Sequence, residues 1–328
     1  MRVVLDRTGA SQWNRAMRLA ETAGPCRASG RWPLPHARTT WRGGLIVFTT
    51  MPARASEIIR PTDLHALGMV RGELSRTLAL LGELDPADWQ RPTECAGWSV
   101  RDVVAHLVGE NEELSRPARL IRRIRTTRRL ASPDGGDGRS EGQIRDRAGR
   151  SGEQLIAELA YWGRKATLAA ERIPGPLHRM RGSVFFPAAR GAPEDTIDYF
   201  IRVLMPREAW LHRTDIAIAT RRLVGFGAHD GEVVRQVIRD LARAWPGPAV
   251  ILDFSGPAGG RWSLGAGRPV AEVQSDPVSF VRLTAGRPGR PPVIAGAGGT
   301  AAELLATRIV SCPRRADVPR ADLLIPPG

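Results

Sequence analysis

The chain has 328 residues, of which 42% are hydrophobic, and 48 basic against 34 acidic residues give it a formal charge of +14. That length allows two domains with a real core, while no apolar run approaches the ~18 residues of a membrane span. The longest run, Gly44–Phe48, also lacks a signal-peptide layout, so a soluble cytoplasmic protein is expected.

Lys165 is the only lysine, and the arginine excess points in part to a high-GC genome. Half of the net charge lies in residues 1–55, and Arg116 to Arg129 add seven arginines without an acid between them. A nucleic-acid surface needs such charge on one face with aromatics or a reading helix, so basic ends are the ordinary explanation. Cys26, Cys95 and Cys312 are far apart, which argues against a disulfide framework.

Residues 1–55 show no sustained apolar period and are expected to form a disordered extension. A first helix is predicted from Pro61 or Thr62 to Leu81, with Leu64, Leu67, Val70, Leu74, Leu78 and Leu81 on its inner stripe. A second starts at the N-cap Ser99, with Asp102 completing a capping box, and Pro117 kinks or ends it. After a loop at Ser132–Gly138, a third runs from about Glu141 to Arg172, with Leu155, Leu159, Trp162 and Leu168 inward. A fourth covers about Glu194 to Arg221, where Pro206 is a potential kink. Four long amphipathic helices imply a four-helix bundle over residues 56–225. Residues 226–328 read as a small α/β domain with a flexible tail. Its helix lies near 231–245, its strands near 249–254, 261–264 and 270–273, and a short helix is capped by Asp276. A strand through Val293 and a helix over Thr300–Ile309 complete it.

Glu208 and His212 stand four apart on the fourth helix, so they share a face. Glu208 falls on a stripe that otherwise carries Leu or Ile, where a carboxylate needs a partner. A salt bridge to Arg207, Arg213 or a neighbouring arginine is the ordinary reading, and a metal grip the alternative. His106, two turns into the second helix, is either a hydrogen-bonded core histidine or a third ligand. Three protein ligands with an open position would make a catalytic divalent site. Cys95 has no histidine near it in sequence and reads as a packed structural thiol.

Trp89 to Leu107, which includes Cys95-Ala96-Gly97-Trp98-Ser99-Val100-Arg101-Asp102-Val103-Val104-Ala105-His106, resembles the signature of the mycothiol-dependent maleylpyruvate isomerase family. Arg207-Glu208-Ala209-Trp210-Leu211-His212-Arg213-Thr214-Asp215 is similar to its second motif, and Leu283-Thr284-Ala285-Gly286-Arg287 to a short C-terminal one. The resemblance covers roughly residues 60–310. It implies a DinB-like metal-binding bundle followed by a small α/β domain, with His106, Glu208 and His212 as ligands of a divalent metal, usually zinc. It also implies mycothiol as cosubstrate, an actinobacterial host, and a small electrophile as substrate of an isomerase or thiol transferase. A non-catalytic metal or small-molecule binding protein on the same fold is the alternative. Asp215 is either a group that orients a ligand or a carboxylate paired with Arg213 or Arg222. Arg287 is either a contact for a carboxylate of thiol or substrate or a surface arginine.

Overall fold

The computed structural model describes residues 37–42, 45–95, 97–130, 138–182, 194–227, 229–288, 290 and 292–296. Residues 1–51 form a unit of their own. In it β1 (Ala37–Arg42) and β2 (Leu45–Thr50) pair antiparallel, with Ala37 opposite Thr50 and Arg42 opposite Leu45. The second unit starts at Pro52, earlier than the expected end of the extension at residue 55. In that unit β3 (Ala53–Arg54) joins a sheet by parallel pairing with β5 (Gly260–Leu264), and Ala55 is fully buried.

The helices follow their sequence signals closely where caps are present. Thr62 Oγ1 accepts from the His65 amide and opens α1 (Asp63–Gly82). Leu67, Val70 and Leu81 of the expected stripe are buried, whereas Leu64, on the first turn, is 79% exposed. Ser99 and Asp102 form the expected capping box of α2 (Val100–Ser115). Pro117 ends α2 and opens α3 (Pro117–Leu130), as a proline at a first helical position does. The basic run is thus a helix, and two of its arginines are engaged internally. Arg119 pairs with Glu112 and Asp146, and Arg123 with Glu113 and Asp146.

The single helix expected over 141–172 is two helices, α4 (Gly138–Arg145) and α5 (Gly152–Glu171). Ser151 and Gln154 build a second capping box there, which starts a new helix in a new direction. Leu168, expected inward, is largely exposed. The last bundle segment comprises a turn, α6 (Ile197–Tyr199), a π-helical stretch (Phe200–Leu204) and α7 (Met205–Ala219). Pro206 explains the π stretch. It lacks an N–H, and its ring crowds the preceding turn, which the wider π turn relieves.

Val103, Val104 and Leu107 of α2 pack with Leu155 and Leu159 of α5, Leu81 of α1 and Ile216 of α7. Each such burial is worth about 1.5–3 kcal/mol against exposure. Beyond α7 come α8 (Asp230–Ala244), β4 (Val250–Phe254), β5, β6 (Ala271–Ser275), α9 (Pro277–Thr284) and β7 (Val293–Ala295). The sheet order is β3-β5-β4-β6-β7, with β4 parallel to β6 and antiparallel to β5. The helix expected over Thr300–Ile309 lies outside the described residues. Trp210 and Leu211 of α7 enter the core of this α/β part beside Val234, Ile238, Phe254 and Phe280. The helix carrying Glu208 and His212 is therefore held from both sides.

Gly109 of α2 lets α4 approach, since a Cβ there would stand 2.5 Å from the Cβ of Gln143. Gly109→Ala is expected to cost about 1–3 kcal/mol by overpacking, read as a lower urea midpoint with an unchanged slope.

Candidate metal and thiol site

His106 sits on the second turn of α2 with its ring 5.1 Å from that of Trp98. Its Nδ1 lies 2.8 Å from Gln143 Oε1 on α4. The Gln143 amide nitrogen donates at 2.8 Å to Glu113 Oε2, and a carboxylate only accepts. The amide orientation therefore follows from the network, and His106 Nδ1 carries the hydrogen. That leaves Nε2 as the lone-pair nitrogen of the ring. Glu113 is fully buried and also accepts from Arg139 Nε at 2.7 Å and Arg123 Nε at 2.8 Å. This network links residues far apart in sequence, and the sequence reading did not find it.

On α7 the ring of His212 meets that of His106 edge-on, with centroids 5.1 Å apart. His212 Nε2 lies 3.6 Å from Glu208 Oε2, and Nδ1 lies 3.4 Å from Asp215 Oδ2. Nδ1 is buried without hydrogen-bond geometry to any partner, so the Asp215 contact is electrostatic. Asp215 is 1% exposed. It takes Arg287 Nη2 at 2.9 Å and the Cys95 thiol at 3.3 Å. Gly286, at φ +76, lets the chain turn after α9, and Arg287 Nη1 then bonds the Ala285 carbonyl at 3.1 Å. Arg287 is thus an inward arginine on Asp215, not a surface one, and Asp215 pairs with it rather than with Arg213 or Arg222. Arg213 is bonded to Glu73 and Asp230, and Arg222 to Asp88.

Cys95, taken from sequence as a structural thiol, stands inside this cluster, with Arg287 Nη2 3.6 Å from its sulfur. Arg282 of α9 pairs with Glu94, which ties α9 to the loop that carries Cys95. No sequence spacing announces these contacts, because they join the α2 entry loop to residues nearly two hundred positions away.

The electrostatics follow from burial. Burial alone would depress His212, but Asp215, Cys95 and Glu208 outweigh it and raise the pKa to about 10. Asp215 would be raised by burial, yet His212 and Arg287 hold it at about 2. Burial raises Glu110, one turn beyond His106, and the nearby Glu208 adds to the rise, against the pull of Arg139.

Among the described residues, two groups place candidate donor atoms within 4.8 Å of one another: Cys95–His212–Asp215 and Asp63–His178–Asp198. His106, Glu208 and His212 are set more loosely. The first tight group already carries the Arg287 guanidinium, which disfavours a cation there. In the second, Arg202 bonds Asp63 at 2.6 Å and Asp198 at 2.9 Å, so an ion-pair network accounts for it.

Beside Glu208 a small cleft of ≈ 50 Å³ opens between α1, α2, α5 and α7. Leu74, Leu107, Leu114, Leu159, Phe200 and Met205 form its apolar walls, and Glu110 and Glu208 are its ionisable groups. No helix among the described residues is long and apolar enough to cross a membrane.

Two crystal structures of the mycothiol-dependent maleylpyruvate isomerase, one of them a point mutant, resemble this chain. They are 17% and 16% identical, with TM-scores of 0.47 and 0.46, each match covering 73% of this chain and 95% of the other. No curated protein matches the chain. Residues 70–217, which carry His106, Glu208 and His212, match the mycothiol maleylpyruvate isomerase N-terminal domain.

Proposed function

We propose that this chain is a mycothiol-dependent enzyme, an isomerase or S-transferase, in which His106, Glu208 and His212 hold a divalent ion, zinc being the best match to this donor set. The observation that carries the reading is that the His106 ring of α2 stands edge-on to that of His212 on α7, whose Nε2 in turn lies 3.6 Å from Glu208. Two imidazoles on one tetrahedral ion, with Zn–N bonds of about 2.0–2.1 Å, have ring centroids roughly 5 Å apart. The 5.1 Å between His106 and His212 supports that arrangement. So does the tautomer of His106, whose Nδ1 is engaged by Gln143.

When bound, the ion supplies Lewis acidity that keeps a thiol as its nucleophilic thiolate at neutral pH. The protein groups do the rest. Gln143 and Glu113 fix the His106 ring, and Asp215 faces His212 Nδ1 and fixes that ring from behind. Arg287 neutralises Asp215 and brings a guanidinium to the rim of the site, where a carboxylate of thiol or substrate fits. The apolar cleft keeps water from the reacting carbon. Addition of the thiolate to a conjugated double bond leaves a single bond free to rotate, and elimination then restores the double bond as trans. Addition without elimination is the S-transferase outcome.

The test is calorimetry of mycothiol into zinc-loaded protein with proton release measured in parallel. One proton per thiol is expected, and Glu208→Gln should weaken zinc and thiol binding together. Thiol binding that survives complete metal removal would place the thiol elsewhere. Thiol binding with no turnover of any electrophile would instead mark a binding protein.

A further inference from the structure

We infer that Glu110 is a fourth protein ligand of the divalent ion, reaching it from α2 as Glu208 reaches it from α7. The inference rests on the metal site proposed above and extends its donor set. It starts from the order of donors on the two helices. His106 and Glu110 stand four apart on α2, and Glu208 and His212 stand four apart on α7. Each pair therefore shares a face. In sequence the two segments mirror each other, His-x-x-x-Glu against Glu-x-x-x-His. The imidazoles meet edge-on, with centroids 5.1 Å apart. One turn onward on α2 and one turn back on α7, Glu110 and Glu208 line the same cleft. Carboxylate and histidine donors that face inward from neighbouring helices are how bundles build metal sites.

Charge supports the same assignment. Glu110 has no hydrogen-bond or salt-bridge partner among the described residues. Arg139, which acts on it electrostatically, is bonded to Glu113 at 2.7 Å. A carboxylate among Leu107, Leu114, Leu159, Phe200 and Met205 without a bonded cation is costly. Burial raises its pKa, Arg139 lowers it, Glu208 raises it again and His212 lowers it, so Glu110 lies within electrostatic reach of both α7 donors. A divalent ion between Glu110 and Glu208 removes their conflict, because two carboxylates cancel its charge.

Space agrees with an ion rather than a bulky guest. The cleft of ≈ 50 Å³ takes a metal ion and a small ligand, since one water needs about 10–15 Å³ on the same scale. Zinc in catalytic sites can expand to five donors, so a site with four protein ligands still admits a thiol.

The experiment titrates zinc into the metal-free full chain against a competing chelator at one fixed pH. It compares the unaltered protein with Glu110→Gln, Glu208→Gln and His106→Ala. Glu110→Gln should lower zinc affinity about 10–100-fold, the scale on which groups that support a metal site act. In the metal-free protein the same substitution should raise the melting temperature, because it removes a buried charge that lacks a partner. A merely structural Glu110 would not give these opposite signs. Cobalt(II) supplies a second readout, as its visible absorption follows ligand number and geometry, and Glu110→Gln should change it. Glu110→Ala should act in the same directions and stands in if the amide variant does not fold. An unchanged cobalt spectrum overturns the inference whatever happens to affinity, and so does a lower melting temperature without metal. If His106→Ala and Glu208→Gln weaken zinc while both Glu110 variants do not, Glu110 leaves the donor set and the three-ligand site stands. If His106→Ala leaves zinc binding intact, the three-ligand site itself is wrong and the inference falls with it.

Discussion

Glu113→Ala is expected to destabilise the protein by about 3–5 kcal/mol, the scale for breaking a buried ion pair and leaving its partner charge unmatched. The side chain is fully buried and accepts from Arg123, Arg139 and Gln143. Arg139 and Arg123 would lose the Glu113 carboxylate, while Arg123 would keep Asp146. The loss should appear in urea unfolding, and it should be accompanied by weaker zinc binding, because Gln143 is then free to turn from His106. Glu113→Gln keeps the shape and one acceptor oxygen, so it should recover part of both. If zinc affinity is untouched while stability falls, the link from Glu113 through Gln143 to His106 does not operate.

Zinc affinity should rise about tenfold per pH unit from pH 6 to pH 9, measured against a competing chelator. The reason is the pKa of His212, about 10 in the metal-free fold. A proton must leave the ring before Nε2 can bind an ion. A histidine at its ordinary pKa of about 6.5 would level off above neutrality. The sign for stability runs the same way in the metal-free protein. The contribution of protonated His212 is complete below about 6.5 and is lost as pH rises through about 10. Asp215 acts at the other end. Its pKa of about 2 gives stability above its unfolded value, and that stability is lost as pH falls toward 2. Asp215→Asn should bring the levelling of zinc affinity back toward neutrality. A zinc-binding curve already flat above pH 7 in the unaltered protein would show that His212 is neutral there.

The sequence made the spacing-coded features visible. Glu208 and His212 share a face because of the helical period, and Ser99 with Asp102 announces the start of α2. Thr62 and Asp276 mark helix starts in the same way. What escaped were features fixed by contacts between distant segments. Cys95 looked inert because Asp215 and Arg287 are distant in sequence, and Gln143 looked like one polar residue among many on α4. Arg287 stood between a carboxylate contact and a surface group, because the sequence does not show that Asp215 is its neighbour. Leu64 and Leu168 follow an apolar rhythm, yet they lie exposed, since rhythm gives a face and not its covering. The division of α4 from α5 was written in Ser151 and Gln154, but the helical pattern on either side ran across it.

The π stretch at Phe200–Leu204 sets the phase of the whole last helix. A π turn holds one more residue than an α turn. Deleting one residue there would tighten it to ordinary α-helix and rotate everything upstream by about 100° relative to Glu208 and His212. Tyr199, whose hydroxyl donates to Asp240, would swing off its anchor, while Glu208 and His212 kept their own spacing. The extra residue thus works as a gear tooth between two contact surfaces. It lets the start of the helix face α8 while its middle faces His106.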